Sequence, residues 1–387
     1  MERILKFILN IFFCWAIVSM YVWAARDFLS IPSYTVLFLR LAVQVSAFYL
    51  LVYHERNIKI DVSYRLVVVW MFYSTAITVA NPHRPRELSE NLWWPCIFIL
   101  FYHVAAYPKV ARIFLYKQLP RLIIASIAIF PCTYLAFSYG DKHASNYIFF
   151  IVLLMPSLFF IKEPSRLRYY LVGLICSVFA FKRSGVLIAA AVGAAIVYFD
   201  YLMSKGKNAG IKKVFSFVLA AGMGLVFFVI DAFTGGYMSK RFGSIEEDGG
   251  SGRDLIYEYV ITRFAGLPTE KQVFGIGFNG VVNGEWIEHR RGAFVSAHND
   301  FLEILCDFGY VGVFLYLCII MRLIYNIKVL KNSSAPLYRC NMTCLCVFVL
   351  ASMLSHLFLY PTYFVFLIIP WAMTCYYVAN KKNIRMS

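Results

Sequence analysis

Val295-Ser296-Ala297-His298-Asn299-Asp300-Phe301-Leu302-Glu303, running on to Gly309 and Gly312, is the one stretch where a polar, potentially catalytic cluster leads straight into a long apolar run. Continued as a helix from His298, the spacings of 11 and 14 residues put Gly309 and Gly312 close to three and four full turns on. The histidine and both glycines then share one face. Glycine on a membrane helix lets a second helix approach closely, so the expectation is a packing face with a histidine at its outer end. Asp300, Glu303 and Asp307 fall together on the opposite face, and three carboxylates are too costly to face lipid. The helix should therefore start clear of the bilayer, with the span proper beginning near Phe308.

Apolar runs of this kind recur from end to end. With 61% hydrophobic, 18% aromatic and only 15% charged residues, the composition excludes a soluble globular protein and points to an all-α, polytopic integral membrane protein. Spans read at residues 4–24, 34–53, 64–80, 92–107, 121–139, 145–161, 168–181, 185–203, 213–232, 300–326, 338–358 and 361–379, about twelve transmembrane helices on the hydropathy rule. The net charge of +16 invites a nucleic-acid reading, but Lys and Arg collect in short loops on alternate sides of the apolar runs, which is topology information. If the N-terminus is cytoplasmic, the inner segments carry Arg3 and Lys6, Arg56 to Arg65, Lys109 to Arg121, Lys162 to Arg168, Lys205 to Lys213, Arg322 to Arg339 and Lys381 to Arg385. The short outer turns hold only Arg26, Arg84 and Arg86, Lys142, and Lys182 and Arg183. Both termini are therefore expected in the cytoplasm. The first span starts basic and is too long for a signal peptide, so it is expected to be retained.

This reading divides the chain into spans 1–9 over residues 1–232, one large extracytoplasmic loop over 233–297, and spans 10–12 over 298–387. A loop of that length is too long for a mere connector. After the flexible tract Glu246-Glu247-Asp248-Gly249-Gly250-Ser251-Gly252 it holds an amphipathic stretch, Asp254 to Phe264. There Leu255, Tyr259 and Thr262 stand against Glu258 and Arg263, as in a short helix lying on a membrane surface.

The candidates for chemistry gather on the outer side. Residues 168–181 span ~21 Å as helix against a hydrocarbon core of ~30 Å, which holds Lys182 and Arg183 at or below the outer headgroup plane. A basic pair at that depth needs an anion: lipid phosphates reached by snorkelling, or the phosphates of a lipid-linked substrate. Arg253 at the start of the amphipathic stretch, and Arg290 and Arg291 ahead of the histidine, are further cations for anion contact, or else local ion pairs and a solvated run. His298 carries an imidazole whose ordinary pKa is ~6.5, so it can exchange a proton at working pH. Asn299 and Asp300 beside it could touch substrate. Arginine suits phosphate because its planar fork makes two parallel hydrogen bonds.

Other signals carry no function. The ten cysteines lie almost entirely in apolar segments and read as packing residues; no histidine or second cysteine pair completes a zinc site, and no metal is expected. Gly275-Ile276-Gly277-Phe278-Asn279-Gly280 matches a phosphate-loop pattern, but no βαβ unit or ribose-binding acid accompanies it, so it reads as turn geometry.

His298-Asn299, nine residues, then Gly309 and Gly312 fit an H-N-x9-G-x-x-G pattern without a gap. With Phe181-Lys182-Arg183-Ser184-Gly185, Ser251-Gly252-Arg253 and Val273-Phe274-Gly275-Ile276-Gly277-Phe278, the chain resembles the O-antigen ligase/polymerase family of bacterial membrane glycosyltransferases over about residues 181 to 312. The resemblance implies a C-type glycosyltransferase-like helical fold in the inner membrane. It also implies metal- and cofactor-independent, inverting transfer of a glycan from undecaprenyl diphosphate to an acceptor hydroxyl. By that analogy Arg183 and Arg253 hold the diphosphate, and His298 positions or deprotonates the acceptor hydroxyl. A ligase passes a finished chain to lipid A–core; a polymerase joins lipid-linked repeat units. The complete histidine motif favours the ligase. A polysaccharide flippase or transporter would also be polytopic and basic, but should display matched halves and charges near mid-bilayer. An intramembrane protease would need a serine nucleophile motif that the chain lacks.

Overall fold

The computed structural model describes residues 1–24, 33–53, 58–135, 145–203, 249–288, 294–331, 335–355 and 360–380, with isolated positions among 210–243 and at 357. Besides a single turn at Cys132–Leu135, its elements are α1 (Glu2–Ala24), α2 (Ser33–Val52), α3 (Val62–Ala80), α4 (Pro85–Ala105), α5 (Pro108–Ile129), α6 (Ile148–Phe160), α7 (Glu163–Phe179), α8 (Arg183–Leu202), α9 (Gly249–Ala265), α10 (Thr269–Phe274), α11 (Gly280–Asn283), α12 (Asp300–Leu330), α13 (Ala335–Leu354) and α14 (Pro361–Ala379). Among the described residues the only β pairing is one bridge, Glu288 with Phe294.

The bundle is organised around α4 and α14, which lie against each other, with α2 and α3 also packed on α4. Every residue of α14 from Pro361 to Tyr377 is buried, as is every residue of α4 from Trp93 to Ala105. A helix apolar on all sides has no solvent or lipid face to prefer and belongs in the middle. The outer helices differ. On α12 the exposed side chains Tyr310, Phe314, Leu317, Met321 and Tyr325 recur every three or four residues, and α2 carries a similar stripe through Phe38, Leu41, Val45 and Tyr49. Stripes of that extent on a soluble monomer would be anomalous; against acyl chains they are ordinary.

Seven described helices are long and apolar enough to cross a bilayer, fewer than the sequence reading counted. The reasons are local. Pro108 follows a break at which α4 and α5 bend by 114°, a broken span or re-entrant pair where two spans were expected. Met155 to Phe160, with Pro156 at its second position, tightens into a 3-10 helix and leaves α6 short. The expected span at 213–232 falls largely outside the described residues. On α7 the side chain of Arg166 turns inward, donating to the Leu158 and Ile161 carbonyls at 3.0 and 2.9 Å and pairing with Asp200 of α8. Asp200 also accepts from Arg339 of α13 at 3.0 Å, a junction of α7, α8 and α13.

The opening stretch departs from the expectation in two ways. The helix begins at Asp300, not His298, so the shared face of His298, Gly309 and Gly312 does not form. Gly309 is not helical: its φ of 62° and ψ of −168° split α12 into two segments. The carboxylates of Asp300, Glu303 and Asp307, as expected, do not face lipid; all three are fully buried inside the protein. The loop that the phosphate-like glycine pattern builds explains the break. Ile276 N donates to Cys306 O at 3.0 Å and Gly277 N to Asp307 O at 2.9 Å, taking carbonyls whose helical partners the break removes. Asn279 N and Gly280 N, each at 2.8 Å, donate to the Asp307 carboxylate, and Phe278 N to Thr78 Oγ1 at 3.3 Å. The five amides from Ile276 to Gly280 are thus all taken by protein. The two backbones approach so closely that a Cβ at Gly309 would strike the Val273 carbonyl and one at Gly275 the Asp307 carbonyl. Tyr73 Oη lies 2.7 Å from Phe308 O and 3.1 Å from Phe274 O, bridging both strands of the crossing.

The amphipathic segment is helical, but α9 starts five residues before Asp254, within the glycine tract. Its inward face is Ile256, Val260 and Phe264, which join Val281, Trp286, Ala297 and Cys306 in a second small core. Leu255 and Tyr259, the expected apolar face, stay exposed.

Candidate functional site

Where α3 turns into α4, Asn81-Pro82-His83-Arg84-Pro85-Arg86-Glu87 forms a tight corner. Pro85 occupies the first helical position, where its missing N–H is no loss and its fixed φ suits the helix. Arg84 N donates to Glu87 Oε2 at 2.8 Å and Glu87 N donates back to Arg84 O at 2.9 Å. Buried Glu87 also accepts from Asn279 Nδ2 at 3.0 Å and Asn283 Nδ2 at 2.9 Å. One carboxylate therefore ties α4 to the same loop that Asp307 holds from α12.

His298 faces this corner from the segment ahead of α12. Its backbone is left-handed, φ 55°, a conformation that costs a residue with a Cβ ~1–2 kcal/mol and survives where neighbours impose it, often at functional sites. The neighbours are on both sides. Asn299 Oδ1 caps α12, accepting from Phe301 N at 2.9 Å and Leu302 N at 3.3 Å. Ala297 N donates to the Glu303 carboxylate. From α9 the Tyr257 hydroxyl donates to His298 O at 3.5 Å.

Between these walls lies a cleft of about 330 Å³, lined by His298, Arg84, Arg86, Glu90, Phe278 and Tyr360 among others. Its charges are organised from beneath. Glu90 accepts from Arg86 Nε at 2.9 Å and lies 3.5 Å from Nη1 of Arg40, a residue only 4% exposed in the middle of α2. Glutamine 44, one turn further on, clasps Ser89 with hydrogen bonds of 2.7 and 3.1 Å. Among the described residues no group of three or more His, Cys, Asp or Glu side chains is placed to hold a metal ion.

Of the residues singled out in the sequence, His298 lines the cleft, whereas Lys182, Arg183, Arg253, Asn299 and Asp300 do not. Arg253 lies one turn before Tyr257 on α9, and residues four apart share a helix face, so it stands beside the side chain that bonds His298. Lys182 precedes the first residue of α8, Arg183, and its ammonium sits 6.0 Å from the Phe149 ring centre. Phe149 is 5.8 Å from Tyr363, and Tyr363 is 6.1 Å from Tyr360 in the cleft wall. Three ring contacts therefore connect the Lys182–Arg183 turn to the cleft. Asn299 is occupied as a helix cap and Asp300 is buried beneath it. Arg290 and Arg291 lie outside the described residues.

Sequence reasoning passed over Arg40, Glu90 and Tyr360 and took Arg84 and Arg86 for topology markers. A signal existed for two of them. An ionisable residue inside an apolar span, as Arg40 is, marks a buried partner, and Glu90 is an acid at the edge of the next apolar span. Nothing in the sequence distinguishes Tyr360 from the other 26 tyrosines among the 27.

No curated protein matches the chain. Residues 169–317 match the O-antigen ligase family model, a stretch that includes Arg183, Arg253, His298, Gly309 and Gly312 and leaves out Arg84, Glu90 and Tyr360. The apolar exposed stripes and this match agree: the chain is a multi-pass membrane protein whose residues 169–317 are similar to the O-antigen ligase family, members of which are glycosyltransferase-like enzymes.

Proposed function

We propose that the protein is an O-antigen ligase-type glycosyltransferase that moves a glycan from undecaprenyl diphosphate to a sugar hydroxyl of lipid A–core. The reaction occurs at the periplasmic face of the inner membrane, with residues 233–297 on that side and both termini in the cytoplasm. His298 accepts or orients the proton of the acceptor hydroxyl as its oxygen attacks the anomeric carbon. The bond from that carbon to the diphosphate oxygen breaks, the anomeric centre inverts, and undecaprenyl diphosphate leaves with the bonding electrons. Arg183 and Arg253 bind the diphosphate and offset the charge that builds on it, with Lys182 in support; such fixed charges do the work a metal does elsewhere. Arg290 and Arg291 are further anion contacts on the same side.

One observation carries this reading. His298, inside the matched stretch, borders a polar cleft and is bonded through its carbonyl to the helix that bears Arg253. The test is a chromosomal deletion followed by gel analysis of surface glycan. A ligase deletion leaves bare core and accumulates long lipid-linked chains. Core capped with a single repeat unit would instead identify a polymerase, and unchanged glycan in both fractions would favour transport of some other substrate.

A further inference from the structure

We infer that the cleft beside His298 is the subsite for the acceptor glycan, and that Arg84, Glu90 and Tyr360 hold its terminal sugar. This rests on the transfer reading above and extends it to residues outside the matched stretch.

An inverting displacement separates its two substrates in space. The acceptor oxygen must reach the anomeric carbon from the side opposite the departing diphosphate, so the groups that bind acceptor and diphosphate stand on different sides of the reacting centre. The cleft has His298 in its wall and neither Arg183 nor Arg253. Among the described residues it joins their part of the site through His298 and the rings behind Tyr360. That is the arrangement an acceptor pocket requires.

The wall chemistry suits a sugar. A pyranose presents hydroxyls around its edge and C–H groups on its faces, so it calls for planar polar groups at the rim and an aromatic ring underneath. Tyr360 and Phe294 supply the rings, with Trp23 6.4 Å behind Tyr360. Glu90 is held in place by Arg40 and Arg86, an acceptor fixed before any ligand arrives. Arg84 is exposed while its backbone N–H and C=O are both tied to Glu87, so a mobile donor stands on a rigid corner. Glu87 itself already accepts from Arg84, Asn279 and Asn283 and serves as frame. About 330 Å³ lies at the lower end of small-ligand sites, about 300–1,000 Å³. It admits a sugar ring or two at the end of a chain, not a polymer.

The experiment uses the full-length protein in lipid nanodiscs, with delipidated core oligosaccharide as the binding probe and purified undecaprenyl-diphosphate-linked glycan with lipid A–core for turnover. Arg84→Ala, Glu90→Gln and Tyr360→Ala should each weaken core-oligosaccharide binding about tenfold and raise the acceptor KM in step, with the donor KM unchanged. Arg183→Ala should leave core-oligosaccharide binding as in the wild type. Arg84 is exposed, so Arg84→Ala keeps the fold even if Tyr360→Ala does not. A rise in donor KM instead of acceptor KM, or probe binding indifferent to all three substitutions, overturns the subsite; so does an absence of probe binding to the wild type. Cleft-dependent binding without any transfer would retain the subsite and overturn the transfer reading. Normal transfer by all three variants would do the reverse.

Discussion

Gly309→Ala tests the crossing on which the site is built. Alanine at φ 62°, ψ −168° enters a region nearly closed to residues with a Cβ, at ~1–3 kcal/mol. The added methyl would also strike the Val273 carbonyl and press on that of Gln272, so the 272–280 loop must move. That loosens the hydrogen bonds from Ile276 N to Cys306 O and Gly277 N to Asp307 O, worth ~1 kcal/mol each. The sum is ~3–5 kcal/mol, or a fall of roughly 6–10 °C in melting temperature at about 2 °C per kcal/mol for a long chain. The assay is thermal unfolding of the detergent-solubilised protein followed by fluorescence-detected gel filtration. Gly266→Ala is the control: its Cβ would meet nothing nearer than the Arg263 carbonyl at 3.6 Å, ordinary contact, and it should melt like the wild type. Because Phe278 and Asn279 of the moved loop line the cleft, turnover of Gly309→Ala should fall even below its melting point. A Gly309→Ala protein that melts with the wild type would refute the account of Gly309 as a close-approach glycine.

Four other outcomes follow from the same reading. Arg183→Ala and Arg253→Ala should each raise the barrier by ~2.7–4 kcal/mol, as loss of a single charge-stabilising donor does, and lysine at either position should restore only part because a point charge lacks the bidentate fork; steady-state turnover with purified donor measures both, and wild-type rates would remove that residue from the site. His298→Ala should lower the chemical step while leaving donor binding nearly intact, and its deficit should shrink at high pH, where the acceptor hydroxyl needs less help from a base; a pH-independent deficit would argue for positioning alone. Turnover should persist in excess chelator, since the arginines stabilise the leaving diphosphate; complete loss restored by added metal would overturn this. Cysteine labelling from outside should reach residues 233–297 and spare 205–213, and labelling at 205–213 would reverse the topology and move the site to the wrong face.

What could be read without the structure was whatever a short stretch of chain determines by itself. Hydropathy over some twenty residues reports its own transfer free energy, so the membrane class follows from Glu2 to Ala24 or Ala335 to Leu354 alone. The histidine–glycine spacing picked out the family segment, and the glycine pattern at 275–280 was legible as a turn because its residues need special backbone angles. Periodicity failed where a distant contact overruled it. His298 was assigned to a helical face, but Asn299 caps the helix one residue later, and the continuation breaks at Gly309 because a loop some thirty residues earlier takes the Cys306 and Asp307 carbonyls. That Asp300, Glu303 and Asp307 avoid lipid is legible from their cost there, but what holds them is not: Ala297 N for Glu303 and the Asn279 and Gly280 amides for Asp307 are backbone groups that no composition displays. The cleft was invisible for the same reason. Glu87 and Asn279 meet across 192 residues of chain, and Arg40 reaches Glu90 only once α2 has packed on α4. A local pattern fixes which face of one helix is apolar; which polar group a buried side chain finds is decided by the packing of elements far apart in sequence, and in this protein that packing makes the site.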